Sequence, residues 1–499
     1  MTDTTHTLIE PNPGPIEPEF DPENQPLYAA RKKIHPKSVS GLFRKLKWAA
    51  VIILLAIYYI APWLRWDRGL SAPDQAFLID MPNRRAYFLW IEIWPQEVYY
   101  IAGLLIMGAV GLFFATALLG RVWCGFSCPQ TVWTDLFMWV ERLIEGDRGA
   151  RIRLDKAGFS FEKLWKRTAK HASWILISLL TGGAWVMYFN DAPTLVRDVI
   201  HFDLTGNQLF FIGLFTATTY ALAGFAREQV CTYMCPWPRF QASMLDEDTM
   251  IVTYEKWRGE PRAKPARDGN YEDRGHCIDC GQCVAVCPTG IDIRDGNQLE
   301  CIGCALCIDA CNAVMEKVGL PKDLITYDSV NRQNARAAGK PVKRRFFRPR
   351  TFIYMAVLAI VAGVFFFTLS TRSHLDMNVI PDRNPIFVKL KDGSIRNGFT
   401  LRILNKTLRP RYFILTVDGL PDFKIALQEQ DTEGQQTDLV VAEDSVRTVK
   451  AFVTVPESVL SDTTMDFNFV LIENVADDGS VFGGPVESEF EARFRGPEK

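Results

Sequence analysis

The cysteines of this chain are spaced for metal or redox chemistry. There are 12, and every one belongs to a short motif. Cys277, Cys280, Cys283 and Cys287 form a C-x2-C-x2-C-x3-C run, and Cys301, Cys304, Cys307 and Cys311 form a second. Three thiols at this spacing can wrap one cuboidal cluster, while the fourth points away and serves the other cluster. The pattern assigns Cys277, Cys280, Cys283 and Cys311 to one [4Fe–4S] cluster, and Cys301, Cys304, Cys307 and Cys287 to a second. Such a pair moves single electrons. Two four-cysteine zinc sites are the competing reading, and the doubled iron–sulfur spacing argues against it.

The other four cysteines lie in two C-x3-C-P motifs. Cys124 and Cys128 sit in RVWCGFSCPQ (121–130), and Cys231 and Cys235 in VCTYMCPWP (230–238). Cysteines at i and i+4 share a helix face. Pro129 and Pro236 disfavour the helical region for the residue before them, so each helix is predicted to end at its second cysteine. Thiolates are soft ligands for Cu(I) and for iron–sulfur clusters. A copper site, a disulfide relay and a further cluster all stay open. Free cysteine also packs as a small apolar residue, but two matched pairs argue against that use alone.

Other cofactors find less support. The chain has 6 histidines, and only His171 and His201 lie near an apolar run, at its opposite ends, so intramembrane haem is not expected. His276 reads as a surface neighbour of Cys277, and His374 with Met377 as a juxtamembrane loop. No G-x-G-x-x-G stretch occurs, so a dinucleotide domain of that type is absent. The electron donor is then another protein, a soluble carrier or a membrane quinol. A net charge of -2 gives no support for a nucleic-acid role.

These motifs need elements to hold them at a membrane edge. Five apolar runs, 48–64, 98–119, 172–189, 209–226 and 351–370, approach the roughly 20 residues that a ~30 Å hydrocarbon core demands. Residues 88–94 and 132–144 are too polar to span and read as interfacial helices. Each C-x3-C-P motif closes the second helix of a hairpin, which predicts two parallel hairpin repeats. Lysine and arginine crowd residues 31–47, 121–170 and 342–350. That bias puts the N-terminus, both motifs and the cysteine-rich segment in the cytoplasm, with the chain after about 371 in the periplasm.

The expected organisation is a multi-domain membrane protein. Residues 1–45 are a disordered cytoplasmic N-terminus with no cleaved secretory signal. A four-span bundle covers 46–240, a cytoplasmic two-cluster ferredoxin-like domain 241–345, and a fifth span 346–372. Residues 373–499 alternate apolar and polar between turn residues, which predicts an all-β, immunoglobulin-like sandwich in the periplasm.

Residues 277–312 resemble bacterial two-cluster ferredoxins, with Asn312 where a second proline is usual. The whole order of segments, with CGFSCPQTVWTD (124–135) and CTYMCPWPRFQ (231–241), resembles the cytochrome c oxidase accessory protein family of the CcoG/FixG type. The resemblance runs from about residue 40 to the end. It implies a cupric reductase of the bacterial inner membrane that supports copper supply and assembly of a cbb-type haem–copper oxidase. The implied partners are the lipid bilayer, an electron donor, and copper-delivery or oxidase assembly proteins. The eight ferredoxin cysteines match the family's cluster ligands, and Cys124, Cys128, Cys231 and Cys235 match its membrane motifs. A quinol-linked conduit to a periplasmic partner and a non-enzymatic assembly scaffold are the alternatives.

Overall fold

A computed structural model describes residues 33–69, 72–265, 274–341, 345, 347–407, 409–429, 433–460, 462–473 and 487–497. Among them, four helices are long and apolar enough to cross a membrane: Leu42–Trp63, Pro95–Leu119, Gly206–Ala226 and Pro349–Ser370. The run expected as a third span, 172–189, is the second half of the Phe161–Val186 helix. Its opening turns carry Lys163, Lys166, Arg167 and Lys170. That leaves about 15 residues, with Ser173, Ser178 and Thr181 among them, short of the ~20 a bilayer core needs. By length and composition this helix does not qualify as a span, and four helices do among the described residues.

The two expected interfacial helices also differ from the structure. Residues 88–94 are not helical. Phe77–Asp80, Arg85–Phe88 and Ile91–Ile93 pair as a three-stranded antiparallel sheet. Aromatic and β-branched side chains favour this pleated surface, and Ala86 and Ile93 pack on Tyr100 below it. Residues 132–144 do form a helix, Pro129–Glu145, with proline at its favoured first position. It is packed into the protein, with Val132, Asp135, Phe137, Met138, Val140 and Glu141 buried. Phe137 stacks on Trp174 at 5.3 Å.

Order begins earlier than the polar N-terminal composition implies. Residues 33–45 belong to the fold, while 1–32 lie outside the described residues, as do 342–344 and 346 of the basic run. Lys37 N–H donates to the Ala285 carbonyl at 2.8 Å. Ser38 donates to Asp147 through its N–H (2.9 Å) and its hydroxyl (2.7 Å). The Phe43 and Arg44 N–H groups, at the start of the first span, donate to the Asp309 carboxylate at 3.2 and 2.8 Å. A distant anion thus satisfies orphan donors at the positive end of that helix.

The cysteine-rich segment is framed by Ile251–Tyr254 and Ile325–Asp328, which pair antiparallel. Between them lie the Gln282–Val286 and Leu306–Lys317 helices. The C-terminal part is a sandwich of two antiparallel sheets. One orders Lys424–Leu427, Ser445–Pro456, Ser394–Asn405 and Leu375–Pro381, with Val388–Lys389 also on Ser394–Asn405. The other orders Gln436–Val441, Arg411–Asp418, Thr464–Glu473 and Glu487–Arg495. Alternate residues such as Leu401, Ile403, Phe413, Leu415, Phe469 and Leu471 point inward and form its core.

The helices separate two ends of the molecule. At one end Met250 N–H meets the Leu118 carbonyl, and Arg348 pairs with Asp246. At the other, Lys406 of the sandwich pairs with Glu97 at 2.8 Å and Arg85 with Asp444 at 2.6 Å. All twelve cysteines belong to the first end or to the segment docked on it.

Candidate iron–sulfur and thiol site

The two ferredoxin-type cysteine runs share one backbone course. Asp279 (φ 51°) and Gly281 (φ 62°) stand two and four residues after Cys277 in left-handed conformations. Gly303 (φ 70°) and Ala305 (φ 59°) do the same after Cys301. Such kinks turn successive N–H groups into a concave, anion-binding nest. A short helix follows each kink and carries the third cysteine, Cys283 or Cys307, on its first turn.

The eight ferredoxin-type cysteines lie close together. The charges of Cys283, Cys280 and Cys277 bear on Cys311. The charge of Cys287 bears on Cys301, Cys304 and Cys307. Cys283, Cys287, Cys301, Cys304 and Cys307 line one cavity with Val252, Ile293 and Ala305. Cys277, Cys283 and Cys311 share an apolar cluster with Ile308, Met315 and Ile325. Burial pushes the Cys301 and Cys311 thiols up to about 12 and Cys283 up to about 11. A metal deprotonates a coordinating thiol outright, and Arg121, Lys47 and Arg294 supply positive charge near Cys301, Cys304 and Cys283, which fits a buried anionic iron–sulfur group. Among the described residues no three His, Cys, Asp or Glu side chains are grouped to hold a single metal ion. Ligands on one zinc at ~2.3 Å would stand roughly 4 Å apart.

The two C-x3-C-P motifs are not α-helical ends. Each is a single π-turn, Trp123–Ser127 and Val230–Met234. The closing bonds run from Cys128 N–H to the Trp123 carbonyl and from Cys235 N–H to the Val230 carbonyl, both 2.8 Å. Cys128 and Cys235 then turn extended (ψ 130° and 122°) ahead of their prolines, as predicted. Four residues before each first cysteine the chain reverses through a positive φ, at Gly120 (60°) and Arg227 (35°). Matching turns bring all four thiols together: the charges of Cys128, Cys231 and Cys235 bear on Cys124. Burial pushes Cys124 up to about 12 and Cys231 up to about 11.

This thiol group is welded to the second ferredoxin loop. A Cβ on Gly125 would stand 2.9 Å from the Gly303 carbonyl oxygen and 3.0 Å from Cys304 N and Cα. Cys124 and Cys231 share an apolar cluster with Cys304, Cys307, Ile302 and Leu306. Arg121 ties the parts by donating to the Cys301 carbonyl (2.9 Å) and the Pro238 carbonyl (2.8 Å). Gln241, fully buried, accepts from the Cys124 thiol at 3.0 Å and donates to Thr116 Oγ1 at 3.3 Å. The fully buried Lys47 lies 3.9 Å from Asp135, and its charge bears on both Cys231 and Cys304.

Behind the second motif, Glu141 accepts from Arg151 (2.7 Å) and pairs with Arg227 (2.9 Å). Burial pushes the Glu141 carboxyl up, but Arg227, Arg151 and Lys170 outweigh it and hold it down at about 2. The strained Arg227 backbone is thereby anchored by its own side chain. In the sequence, Arg121 and Lys47 read only as orientation-setting basic residues, and Gly125 and Gln241 carried no role, although Arg121, Gly125 and Gln241 all stand within the two motif stretches.

Comparison with known proteins follows this map. A family model described as a 4Fe-4S binding domain matches residues 101–147, and one described as a 4Fe-4S dicluster domain matches 226–330. A third, described as an IG-like fold at the C-terminal of FixG, matches 365–497. The nitrogen fixation protein FixG of Rhizobium meliloti is 48% identical over 474 residues, covering 89% of this chain and 90% of that protein. Protein RdxA of Cereibacter sphaeroides is 48% identical over 479 residues, covering 95% and 99%. The crystal structure of a FixG-related protein from Vibrio parahaemolyticus is 22% identical, with a TM-score of 0.20, covering 25% of this chain and 97% of that one. The two iron–sulfur models together span every cysteine described above. With relatives of this identity matched along nearly their whole length, the chain belongs to the FixG family of membrane iron–sulfur electron-transport proteins.

Proposed function

We propose that the chain is an inner-membrane oxidoreductase that reduces Cu(II) to Cu(I) and so supports copper supply to a cbb-type haem–copper oxidase. In this reading Cys277, Cys280, Cys283 and Cys311 hold one [4Fe–4S] cluster, and Cys301, Cys304, Cys307 and Cys287 hold the other. When bound, they supply one-electron transfer. One electron from a reduced carrier converts one Cu(II) to one Cu(I), with no proton needed. Cys124, Cys128, Cys231 and Cys235 mark where electrons meet copper. The observation that carries the reading is the close backbone approach of Gly125 to Gly303 and Cys304, which sets the first C-x3-C-P motif directly against the second ferredoxin loop. Copper approaches from a cleft lined by Thr131, Met138, Arg227, Glu228 and Cys231. The bias of basic residues, with all cysteines at one end, supports a cytoplasmic site and a periplasmic sandwich.

The test uses the full-length protein in detergent without oxygen. With dithionite-reduced clusters, Cu(II) is expected to give Cu(I), trapped by a chelator, and serine at Cys124 and Cys231 is expected to slow this at least tenfold. Equal rates in the variant would sink the proposal. A second reading concerns the donor. A cavity of about 360 Å³, lined by Tyr58, Trp133, Trp185, Phe215 and Leu222, ends on Pro129 and Gln130, next to Cys128. Its size and aromatic walls suit a quinol ring. Cluster reduction by a short-chain quinol analogue, blocked by filling the cavity with Ala223→Trp, supports that donor; indifference to the analogue removes it.

A further inference from the structure

We propose that Cys124, Cys128, Cys231 and Cys235 together hold a third [4Fe–4S] cluster, two ligands coming from each half of the membrane region. The inference rests on the reading that electrons leave the protein at these thiols. Copper is then reduced beside the cluster and is not itself gripped by all four sulfurs.

Four observations carry it. The motifs are built alike: a reversal at positive φ, a π-turn bearing the first cysteine, and a second cysteine in extended backbone before proline. π-Turns are rare and gather at functional sites. Cys231 of the second packs on the apolar cluster that holds Cys124 of the first, and neither half has enough ligands alone. Second, the family model matched at residues 101–147 describes a 4Fe-4S binding domain. That stretch contains only Cys124 and Cys128, so the remaining ligands must come from elsewhere, and Cys231 and Cys235 face them.

Third, the four sulfurs are not drawn together as one bound ion requires, and the eight ferredoxin cysteines are not either. Fourth, the charge suits it. Four thiolates around such a cluster leave a net negative charge, which is costly to bury unpaired. Lys47 and Arg121, both buried, lie against these thiols and against Cys304 and Cys301 of the neighbouring loop. They are placed to neutralise two buried anionic groups at once.

Iron, acid-labile sulfide and copper are counted per chain in anaerobically purified full-length protein, alongside low-temperature EPR after reduction. The expected content is about twelve iron and twelve sulfide, three clusters of four. In the double variant Cys128→Ser, Cys235→Ser it is expected to fall to about eight, with the two ferredoxin-type EPR signals unchanged. About eight iron in the wild type overturns the proposal, whether the four thiols are then alkylated freely, paired as disulfides or occupied by copper. If the variant does not accumulate, the wild-type count with alkylation of the remaining thiols decides alone. Cu(II) reduction on the same samples separates this from the proposed function. Twelve iron without copper reduction keeps the cluster and removes the function; eight iron with thiol-dependent reduction does the reverse.

Discussion

The two C-x3-C-P motifs have the same backbone but face different surroundings. The first is locked inside. Gly125 touches the Gly303–Cys304 backbone, Cys124 is buried, and the reversal before it is a glycine. The second is open on one side, with Tyr233 and Met234 more than half exposed, and its reversal falls on Arg227. A residue with a Cβ at positive φ costs roughly 1–2 kcal/mol, and the Glu141 ion pairs offset that cost. The difference teaches a division of labour. The first motif sits in direct backbone contact with the ferredoxin loop. In the proposed function, the second completes the thiol group on the side where Tyr233 and Met234 are exposed.

That comparison can be broken at the second motif first. Glu141→Gln leaves Arg227 and Arg151 as buried cations without their shared partner, while Lys170 keeps Glu145 at 3.0 Å. Stranding a buried charge typically costs about 3–5 kcal/mol. The expected outcome is a large drop in thermal stability and release of Cys231 and Cys235 to alkylation, with the ferredoxin EPR signals retained. Equal labelling of all four thiols would mean the motifs are not held independently.

A smaller effect is expected from Gly125→Ala. Its methyl group must push the Gly303–Cys304 backbone away, an overpacking cost of about 1–3 kcal/mol. Stability should fall modestly, while electron transfer from the ferredoxin clusters to the thiol group slows more than tenfold. Unchanged transfer would show that the contact is packing alone.

The mildest test lies at the far end of the helices and touches neither motif. Burial, followed by the nearby Asp444 charge, pushes the Glu92 carboxyl from 4.5 up to about 8, against a pull downward from Arg85. The folded form therefore binds more protons than the unfolded one. The contribution of this contact to docking the sandwich is complete below about pH 4.5 and is lost as pH rises through about 8. Hydrogen exchange over residues 394–405 should rise across that window. Glu92→Gln should flatten the profile, and neither condition should change cluster content.

Much of this molecule was legible in its sequence for identifiable reasons. The ferredoxin ligands are local in spacing, since three thiols within seven residues leave the chain few ways to wrap. The sandwich strands show through because side chains alternate every second residue, as in RYFILTVDG (411–419). Residues 88–94 misled because FLWIEIW is apolar at both helical and strand periods, and pairing with 77–80 and 85–88 decided the outcome. The order of residues 33–45 comes from partners more than a hundred positions away, Asp147, Ala285 and Asp309. The π-turns were hidden because Cys at i and i+4 suits an α-turn equally well. The contact at Gly125 depends on two segments 178 positions apart meeting, which no local pattern encodes.

The central claim is that electrons leave the ferredoxin segment through the four membrane-edge thiols. Anaerobic stopped-flow mixing of pre-reduced protein with Cu(II) tests it most directly, following cluster absorbance and chelated Cu(I) together. The account predicts that cluster bleaching recovers in step with Cu(I) formation, one copper per electron, and that Cys124→Ser, Cys231→Ser uncouples the two. Recovery at the same rate in that variant, or recovery without Cu(I), contradicts it.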